Sequence, residues 1–130
     1  MCIFCKIISG EIPSKKIYED ENVLAILDIS QATKGHTLVM PKKHFENIFE
    51  IDAKDYLNVM QVVHKICKHY KDTNKSILGI NVLNNNGQKA GQSVNHLHYH
   101  ILPRYEEDDL EINFQEHQYD LEEIQKEFKL

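Results

Sequence analysis

HLHYHIL, residues 96–102 of a 130-residue chain, is the stretch that decides both the fold and the chemistry of this protein. Side chains alternate between the two faces of a β-strand, so a strand here places the three histidines together and puts Leu97, Tyr99 and Ile101 on the opposite face. The apolar face must be buried, and we expect it to pack against a helix. The histidine face is then expected to open on a cleft. A lone histidine is usually an ordinary polar residue, but three in strict alternation favour a functional site.

The pattern of apolar residues predicts the elements around this strand. Between residues 53 and 71 apolar side chains recur at helical spacing, and Asp52 is a good N-cap for that helix. The other predicted elements are a short helix or turn at 2–9, strands at 16–19, 23–28, 37–40, 80–84 and 94–102, and a last helix at 120–129. We therefore predict one domain over residues 1–130 with an α+β fold. It has a five-stranded antiparallel sheet, one long helix and a short N-terminal helix.

Composition excludes several classes of protein. The hydrophobic content of 42% is typical of a globular domain, and the net charge of −5 leaves no basic face for a dedicated nucleic-acid binder. No apolar run approaches the ~18 residues of a membrane span, and the N-terminus lacks the core of a signal peptide. We expect a cytoplasmic protein that binds neither nucleic acid nor membranes. A nucleotide substrate remains compatible with this charge, because one phosphate needs only a local cradle.

A metal site is one interpretation of the histidine row. Two imidazoles in an H-x-H pattern on a strand can bind one zinc ion. At ~3.3 Å per residue, however, His96 and His100 lie ~13 Å apart along the backbone, which is too far to share an ion easily. At least one histidine is therefore free for another task.

The loop at residues 84–93 suggests that task, because it is rich in Asn and Gly and leads directly into the histidines. Glycines let the backbone approach an anion closely, so that successive N–H groups can point at it. Asn85, Gln92 and Ser93 add side-chain donors. The alternative is a solvated hairpin loop, but beside three histidines a phosphate cradle is favoured. A neutral His98 next to such a cradle can attack phosphorus, with protonated neighbours stabilising the charge that develops.

The pattern H-φ-H-φ-H-φ-φ, with φ apolar, matches residues 96–102 at every position and resembles the histidine-triad (HIT) family of nucleotide hydrolases and transferases. The C-x-x-C start, LDIS at 27–30, GHTLVMPKKH at 35–44 and GQS at 91–93 also fit. The resemblance implies a HIT-like fold. It also implies an enzyme that cleaves the α-phosphate bond of adenosine phosphoramidates or related nucleoside-phosphate conjugates through a nucleotidyl-histidine intermediate. The alternatives are a dinucleoside polyphosphate hydrolase, a metal-dependent hydrolase that uses the histidines as ligands, and a nucleotide-binding regulatory module with vestigial activity.

The resemblance also implies a role for each matching residue. His98 is the expected nucleophile, His36 supports it from behind, and Asp28 accepts hydrogen bonds from the ribose hydroxyls. Ile29 is expected to wall the base pocket. The expected ligands of the α-phosphate are His100, Ser93, Asn85, Gly91 and Gln92. The implied partners are a purine nucleotide or nucleotide conjugate as substrate and a second copy of the chain, in a homodimer whose sheets join edge to edge.

Cys2 and Cys5 form a C-x-x-C pair in a chain with three cysteines. In a reducing compartment this spacing indicates metal binding or redox chemistry. The chain lacks the βαβ context of a thioredoxin-like protein, which disfavours a redox pair. Resemblance to bacterial-type HIT proteins implies a structural zinc ion bound by Cys2, Cys5, His44 and His96. That ion would hold the neighbouring nucleophile in register.

Overall fold

The computed structural model describes residues 2–130 as an α+β fold built on a single five-stranded sheet. Neighbouring strands are antiparallel, and the strand order is β1-β2-β3-β5-β4. The elements are α1 (Ile3–Ile8), β1 (Lys16–Glu19), β2 (Val23–Leu27), β3 (Thr37–Pro41), α2 (Ala53–Thr73), β4 (Gly79–Asn84), a 3₁₀ turn (Gln88–Ala90), β5 (Tyr99–Arg104) and α3 (Leu121–Phe128). The predicted fold class is confirmed, including the long helix and the short N-terminal one.

Helix α2 covers one face of the sheet. The carboxylate of Asp52 caps the helix by accepting a hydrogen bond from the backbone N–H of Asp55 at 2.8 Å, as its position predicts. The apolar stripe of the helix then packs on the strands, and the apolar face of the histidine segment joins the same core. Its buried members include Val59, Val62, Val63, Ile66, Leu97, Tyr99 and Ile101.

Helix α1 covers the opposite face of the sheet near its centre. Phe4 is buried there in a second apolar cluster with Leu24, Ile26, Leu38 and Met40. Strand β3 therefore contributes side chains to both clusters and is buried along its whole length. This arrangement places the N-terminus beside the histidine segment, on the side that α2 leaves open.

Strand β5 begins later than the sequence predicts, so that of the three histidines it contains only His100. It was expected from residue 94, but β5 begins at Tyr99, opposite Val39 of β3 and Asn84 of β4. Strand β4 ends at that point, and β3 ends at Pro41, which has no N–H to donate to a ladder. Residues 96–98 therefore precede the sheet, held by other hydrogen bonds.

The C-terminal segment leaves the sheet after β5. Arg104, the last residue of β5, holds the start of this segment by donating from Nε and Nη2 to the two carboxylate oxygens of Asp108, at 3.0 and 2.9 Å. Helix α3 then exposes the apolar side chains of Leu121 and Phe128. No helix within residues 2–130 is long and apolar enough to cross a membrane.

Candidate active site

Three elements bring the predicted catalytic residues together. Asp28 follows β2 and His36 precedes β3, and the backbone N–H of Asp28 donates to the His36 carbonyl at 3.0 Å. His100 lies in β5, the neighbour of β3. As a result, Nε2 of His36 lies 2.9 Å from Nδ1 of His100 and 3.6 Å from Oδ2 of Asp28. The ring of His98 lies beside that of His100, with centroids 5.0 Å apart.

The histidine face is more deeply buried than the sequence predicts. The expected cleft is wrong for His96 and His98, which are 0% and 3% exposed. Phe4 of α1 covers them, with ring centroids 5.9 Å from His96 and 5.0 Å from His98. His100 is only partly buried, so the row meets solvent at its β5 end.

A backbone hydrogen bond fixes the tautomer of His98. Its Nδ1 lies 2.8 Å from the carbonyl oxygen of His96, which can only accept, so Nδ1 carries the proton. A neutral imidazole has a single N–H, and Nε2 of His98 therefore keeps its lone pair. The carbonyl of His98 itself accepts from the side-chain amide of Asn84 at 3.0 Å, which holds the backbone at His98.

A second chain of hydrogen bonds fixes His36 and His100. The backbone N–H of Ala32 donates to Nδ1 of His36 at 3.2 Å, so neutral His36 carries its proton on Nε2. That proton is donated to Nδ1 of His100, so the residue that His36 contacts directly is His100, and its expected support of His98 stays a prediction. Neutral His100 is then protonated on Nε2 and can act as a hydrogen-bond donor to an anion.

Burial favours the neutral forms of His98 and His100 near pH 7. Loss of hydration lowers the pKa of His98. The pKa of His100 falls to about 4, first because of burial and then because His98 and His36 would repel a positive charge. Attack on phosphorus requires a neutral imidazole as nucleophile. The expectation that the neighbouring histidines are protonated is wrong for His100, which is neutral near pH 7.

Asp28 is held but still accessible. Its Oδ1 accepts from the backbone N–H of Ser30 at 2.8 Å, and its side chain is 20% exposed. Ile29 is fully exposed, so it borders an open surface in this chain. Oδ2 of Asp28 therefore lies near the histidines, and the next residue in the sequence, Ile29, exposes an apolar side chain.

The loop at residues 84–93 differs from the predicted cradle of N–H groups. The backbone N–H groups of Ala90 and Gln92 donate to the carbonyl of Gly87, and that of Gly91 donates to Gln88. The prediction that successive N–H groups point at an anion is therefore wrong for these residues, because the 3₁₀ turn uses them.

Gln92 and Gly91 shape this loop. The Gln92 amide accepts from Gly87 N–H at 2.8 Å and donates to the carbonyls of Glu46 and Val94 at 2.6 and 3.0 Å. Gly91 has a φ of +92°, in the left-handed region that favours glycine. Both residues thus serve the loop conformation, and their assignment as phosphate ligands remains a prediction.

Asn85 and Ser93 have side chains that can still donate. Asn85 is half-buried, and a Cβ at Gly91 would lie 3.8 Å from its Nδ2. Ser93 is exposed and lines an open cavity of about 500 Å³ together with Cys2 and His44. The structure brings Ser93 to that cavity, and its contact with an α-phosphate stays a prediction.

The four predicted zinc ligands converge on one point. Nδ1 of His96 lies 3.5 Å from Sγ of Cys2, 3.6 Å from Sγ of Cys5 and 3.2 Å from Nδ1 of His44. Cys5 Sγ lies 3.3 Å from His44 Nδ1. Around a tetrahedral zinc ion, usual bond lengths give edges of about 3.3 Å between nitrogens and about 3.6 Å between sulfur and nitrogen. The donor set therefore fits zinc in both chemistry and spacing.

The tautomers of His96 and His36 distinguish this cluster, which can bind a metal, from a second group of possible metal ligands. His96 donates from Nε2 to the carbonyl of Pro41 at 2.8 Å, which leaves Nδ1 free to bind a metal, as ligating histidines usually do. Asp28, His36 and His100 also place donor atoms within 4.8 Å of one another. There, a metal on Nε2 of His36 would force a proton onto Nδ1, against the N–H of Ala32. The hydrogen bonds thus favour a directly hydrogen-bonded pair of imidazoles over a metal ion at this second cluster.

Gln31 was not predicted from the sequence as a site residue, yet its side chain holds together the loop between Asp28 and His36. Its Nε2 donates to the carbonyls of Asp28 and His36 at 2.5 and 2.8 Å. Its Oε1 accepts from the N–H of Gly35 at 2.8 Å. The only sequence signal was its position between two family-like motifs, because a polar residue in an exposed loop has no pattern of its own.

A sequence profile of the HIT domain matches residues 9–107 of this chain. The chain belongs to the HIT family. An uncharacterized HIT-like protein of Methanocaldococcus jannaschii is 52% identical over 130 residues, which cover 99% of this chain and 99% of that protein. A Schizosaccharomyces pombe protein named adenosine 5′-monophosphoramidase is 41% identical over 107 residues, covering 82% of this chain and 77% of that one.

Solved HIT structures share the fold. The crystal structure of a HIT family member from Bacillus subtilis matches with a TM-score of 0.89 at 52% identity, covering 96% of this chain and 90% of that chain. A zinc-bound histidine triad family protein from Mycobacterium smegmatis matches with a TM-score of 0.80 at 38% identity, covering 88% and 82%. The predicted family is therefore confirmed by sequence and by structure.

The low pKa of His100 predicts how this HIT protein responds to acid. Unfolded His100 takes a proton below its ordinary pKa of 6.5, whereas the folded protein takes it only near 4. Between these values the unfolded state binds more protons, so the free energy of unfolding falls as the pH falls. Urea unfolding of His100→Asn from pH 7 to 4.5 should show a shallower loss of stability than the unmutated protein. An equal slope, or the same change in the exposed control His64→Asn, would contradict this origin.

Proposed function

We propose that this protein hydrolyses nucleoside-phosphate conjugates, with adenosine phosphoramidates as the leading substrate class, through a nucleotidyl intermediate on His98. The observation that carries the proposal is the tautomer of His98. A buried neutral imidazole with Nδ1–H bound to the His96 carbonyl keeps the Nε2 lone pair available. A structural histidine does not need a fixed lone pair, but a nucleophile does.

The reaction proceeds in two displacements. Nε2 of His98 forms a bond to the α-phosphorus while the bond from phosphorus to the leaving group breaks, and the departing amine takes up a proton from solvent. The imidazole becomes positively charged, and its Nδ1–H bond to the His96 carbonyl stabilises that charge. Water then bonds to phosphorus as the phosphorus–nitrogen bond breaks, giving the nucleoside monophosphate, a proton and neutral His98.

The other residues bind and orient the substrate. His100 donates from Nε2 to an α-phosphate oxygen, supported by His36 behind it. Asn85 and Ser93 add donors, and Gly91 and Gln92 shape the loop that presents them. Asp28 accepts from the ribose hydroxyls, and the nearby Ile29 contacts a purine base.

Two observations support a phosphoramidate substrate over the alternatives. The S. pombe relative, 41% identical, is named for hydrolysis of that bond. The fixed tautomers also disfavour a metal-dependent hydrolase, since His36 cannot bind a metal through Nε2 while Ala32 donates to its Nδ1. Turnover separates the enzyme from a regulatory module with vestigial activity. A dinucleoside polyphosphate hydrolase uses the same nucleophile, so a substrate panel separates it from the leading proposal.

We further propose a structural zinc ion on Cys2, Cys5, His44 and His96. When bound, the ion ties the N-terminal helix to the histidine segment and supplies no step of the reaction. The support is the spacing of the donor atoms, the free Nδ1 of His96 and the zinc-bound relative from M. smegmatis. The four positions form a closed donor set, which is typical of structural sites.

A homodimer with edge-to-edge sheets is our proposal for the assembly. Strand β4 lies at the edge of the sheet, pairs only with β5 and leaves Val82 41% exposed. An unpaired edge of this kind can add another strand, and the same strand of a second copy would fill it. We place the protein in the cytoplasm, with a nucleotide rather than a nucleic acid as partner.

The nucleophile is tested by His98→Asn. Asparagine keeps a polar side chain but cannot form a stable phosphorus–nitrogen adduct, so the rate should fall by several powers of ten. His100→Asn removes one stabilising contact and should cost less, about 10²–10³. Acid quench of the unmutated enzyme with an adenosine phosphoramidate, followed by mass spectrometry, should find the adduct on His98. An active His98→Asn protein, or an adduct elsewhere, would overturn the mechanism, and absence of turnover would favour a regulatory module.

Asp28 should discriminate ribose from deoxyribose. Asp28→Ala removes the acceptor for the ribose hydroxyls, so we expect a higher KM for the ribonucleotide substrate and a smaller advantage over its 2′-deoxy analogue. Steady-state kinetics on both substrates provide the measurement, and Ser30→Ala, which keeps the backbone N–H to Asp28, is the control. Equal losses on both substrates would show that Asp28 acts structurally.

Zinc should support stability. The purified protein should hold about one zinc ion per chain by elemental analysis. Cys5→Ser should lower the melting temperature more than it lowers kcat at a permissive temperature, because the ion holds helix α1 without entering the reaction. Cys67→Ser, outside the cluster, should keep the zinc. A metal-free protein whose melting matches that of a zinc-loaded sample would refute the site.

A further inference from the structure

Phe4 lies between the metal-binding cluster and the nucleophile. Helix α1 is N-capped by Cys2, whose Sγ accepts from the backbone N–H of Cys5 at 3.4 Å. The two thiols on this helix turn toward His44 and His96. Phe4 lies between them in sequence, and its side chain is only 6% exposed. One short helix therefore carries metal ligands and a buried aromatic ring.

The ring of Phe4 meets both buried histidines edge to face. Its centroid lies 5.0 Å from that of His98 with an interplanar angle of 89°, and 5.9 Å from that of His96 at 73°. This T-shaped geometry is the attractive one for aromatic rings, and it depends on the orientation of both planes. A rotated His98 ring would lose the contact, so Phe4 restrains that rotation.

The restraint matters because His98 has few other anchors. Its side chain makes one hydrogen bond, from Nδ1 to the His96 carbonyl, among the described residues. A single hydrogen bond leaves the ring free to swing about the bonded atom. The rings of Phe4 and His100, whose centroids each lie 5.0 Å from that of His98, supply further fixed points. Of these two rings, Phe4 is the one that helix α1 carries, and with the hydrogen bond it restrains the direction of the Nε2 lone pair.

We propose that Phe4 is a positioning residue for His98, and that the Cys2–Cys5–His44–His96 cluster keeps it in place through α1. The helix has six residues, fewer than an isolated helix needs, so it depends on its anchors at the cluster and in the core. Loss of metal would loosen α1, release the Phe4 ring and let His98 rotate. The proposal rests on His98 as nucleophile and zinc as the bound ion.

Phe4→Leu tests the ring while keeping an apolar side chain. Ile7→Ala is the matched control, because Ile7 lies on the same helix and packs on the same cluster but carries no aromatic ring. Long-range ¹H–¹⁵N NMR reports the tautomer of His98 without turnover, and steady-state kinetics report KM and kcat. In Phe4→Leu we expect mixed His98 tautomers and unchanged KM. We expect kcat to fall ten- to a hundredfold, roughly what a misplaced reacting group costs. Ile7→Ala should keep the single tautomer.

Chelation supplies the second measurement, and it uses the unmutated protein. Removing zinc should convert its His98 signal to the mixed state, while Phe4→Leu should change little further, since the contact is already absent. If Phe4→Leu does not fold, Phe4→Met replaces it. A single His98 tautomer in the folded Phe4 variants, or an equal effect of chelation with and without the ring, overturns the proposal. Because NMR needs no substrate, that failure is distinguishable from failure of the nucleotidyl mechanism.

Discussion

Hydrogen bonds between main chain and imidazole decide what each histidine of this protein can do. A neutral imidazole has one donor and one acceptor nitrogen, so tying one to the backbone fixes the other. His96 donates to the Pro41 carbonyl and turns Nδ1 to the thiols. His98 donates to a carbonyl and keeps its Nε2 lone pair, and His36 accepts from Ala32 and therefore donates to the next ring. Three identical side chains acquire three different roles from three backbone groups.

These bonds depend on where strand β5 begins. In a ladder, the carbonyls of Pro41 and His96 would be expected to accept from neighbouring strands. Because β5 starts at Tyr99, both carbonyls are free to accept from imidazoles. Because strand β5 begins only at Tyr99, residues 96–98 lie outside the sheet and their side chains and carbonyls can form the site. The hydrogen bonds to these two carbonyls also satisfy buried ring nitrogens of His96 and His98, which would destabilise the core if they had no partner.

Burial on two sides supports the same arrangement. Helix α2 packs against the apolar face of residues 96–102, and Phe4 of α1 covers His96 and His98. The resulting low polarity lowers the pKa of His98 and that of His100, which favours neutral rings. An imidazole buried in this way is protected from protonation, and among the three histidines His100 is the one that meets solvent.

The sequence by itself determined the elements and the family of this protein. Alternation in residues 96–102 and helical spacing in residues 53–71 are local patterns, so the sheet, the long helix and the core side of the histidine segment could be predicted. The tertiary structure decided where β5 begins, how Phe4 buries His98, and that the loop N–H groups donate to carbonyls within the loop. The bond from His96 to Pro41 joins residues 55 apart, and the contact from His96 to Cys2 joins residues 94 apart. Such partners are chosen by packing of distant segments, which no local pattern of side chains encodes.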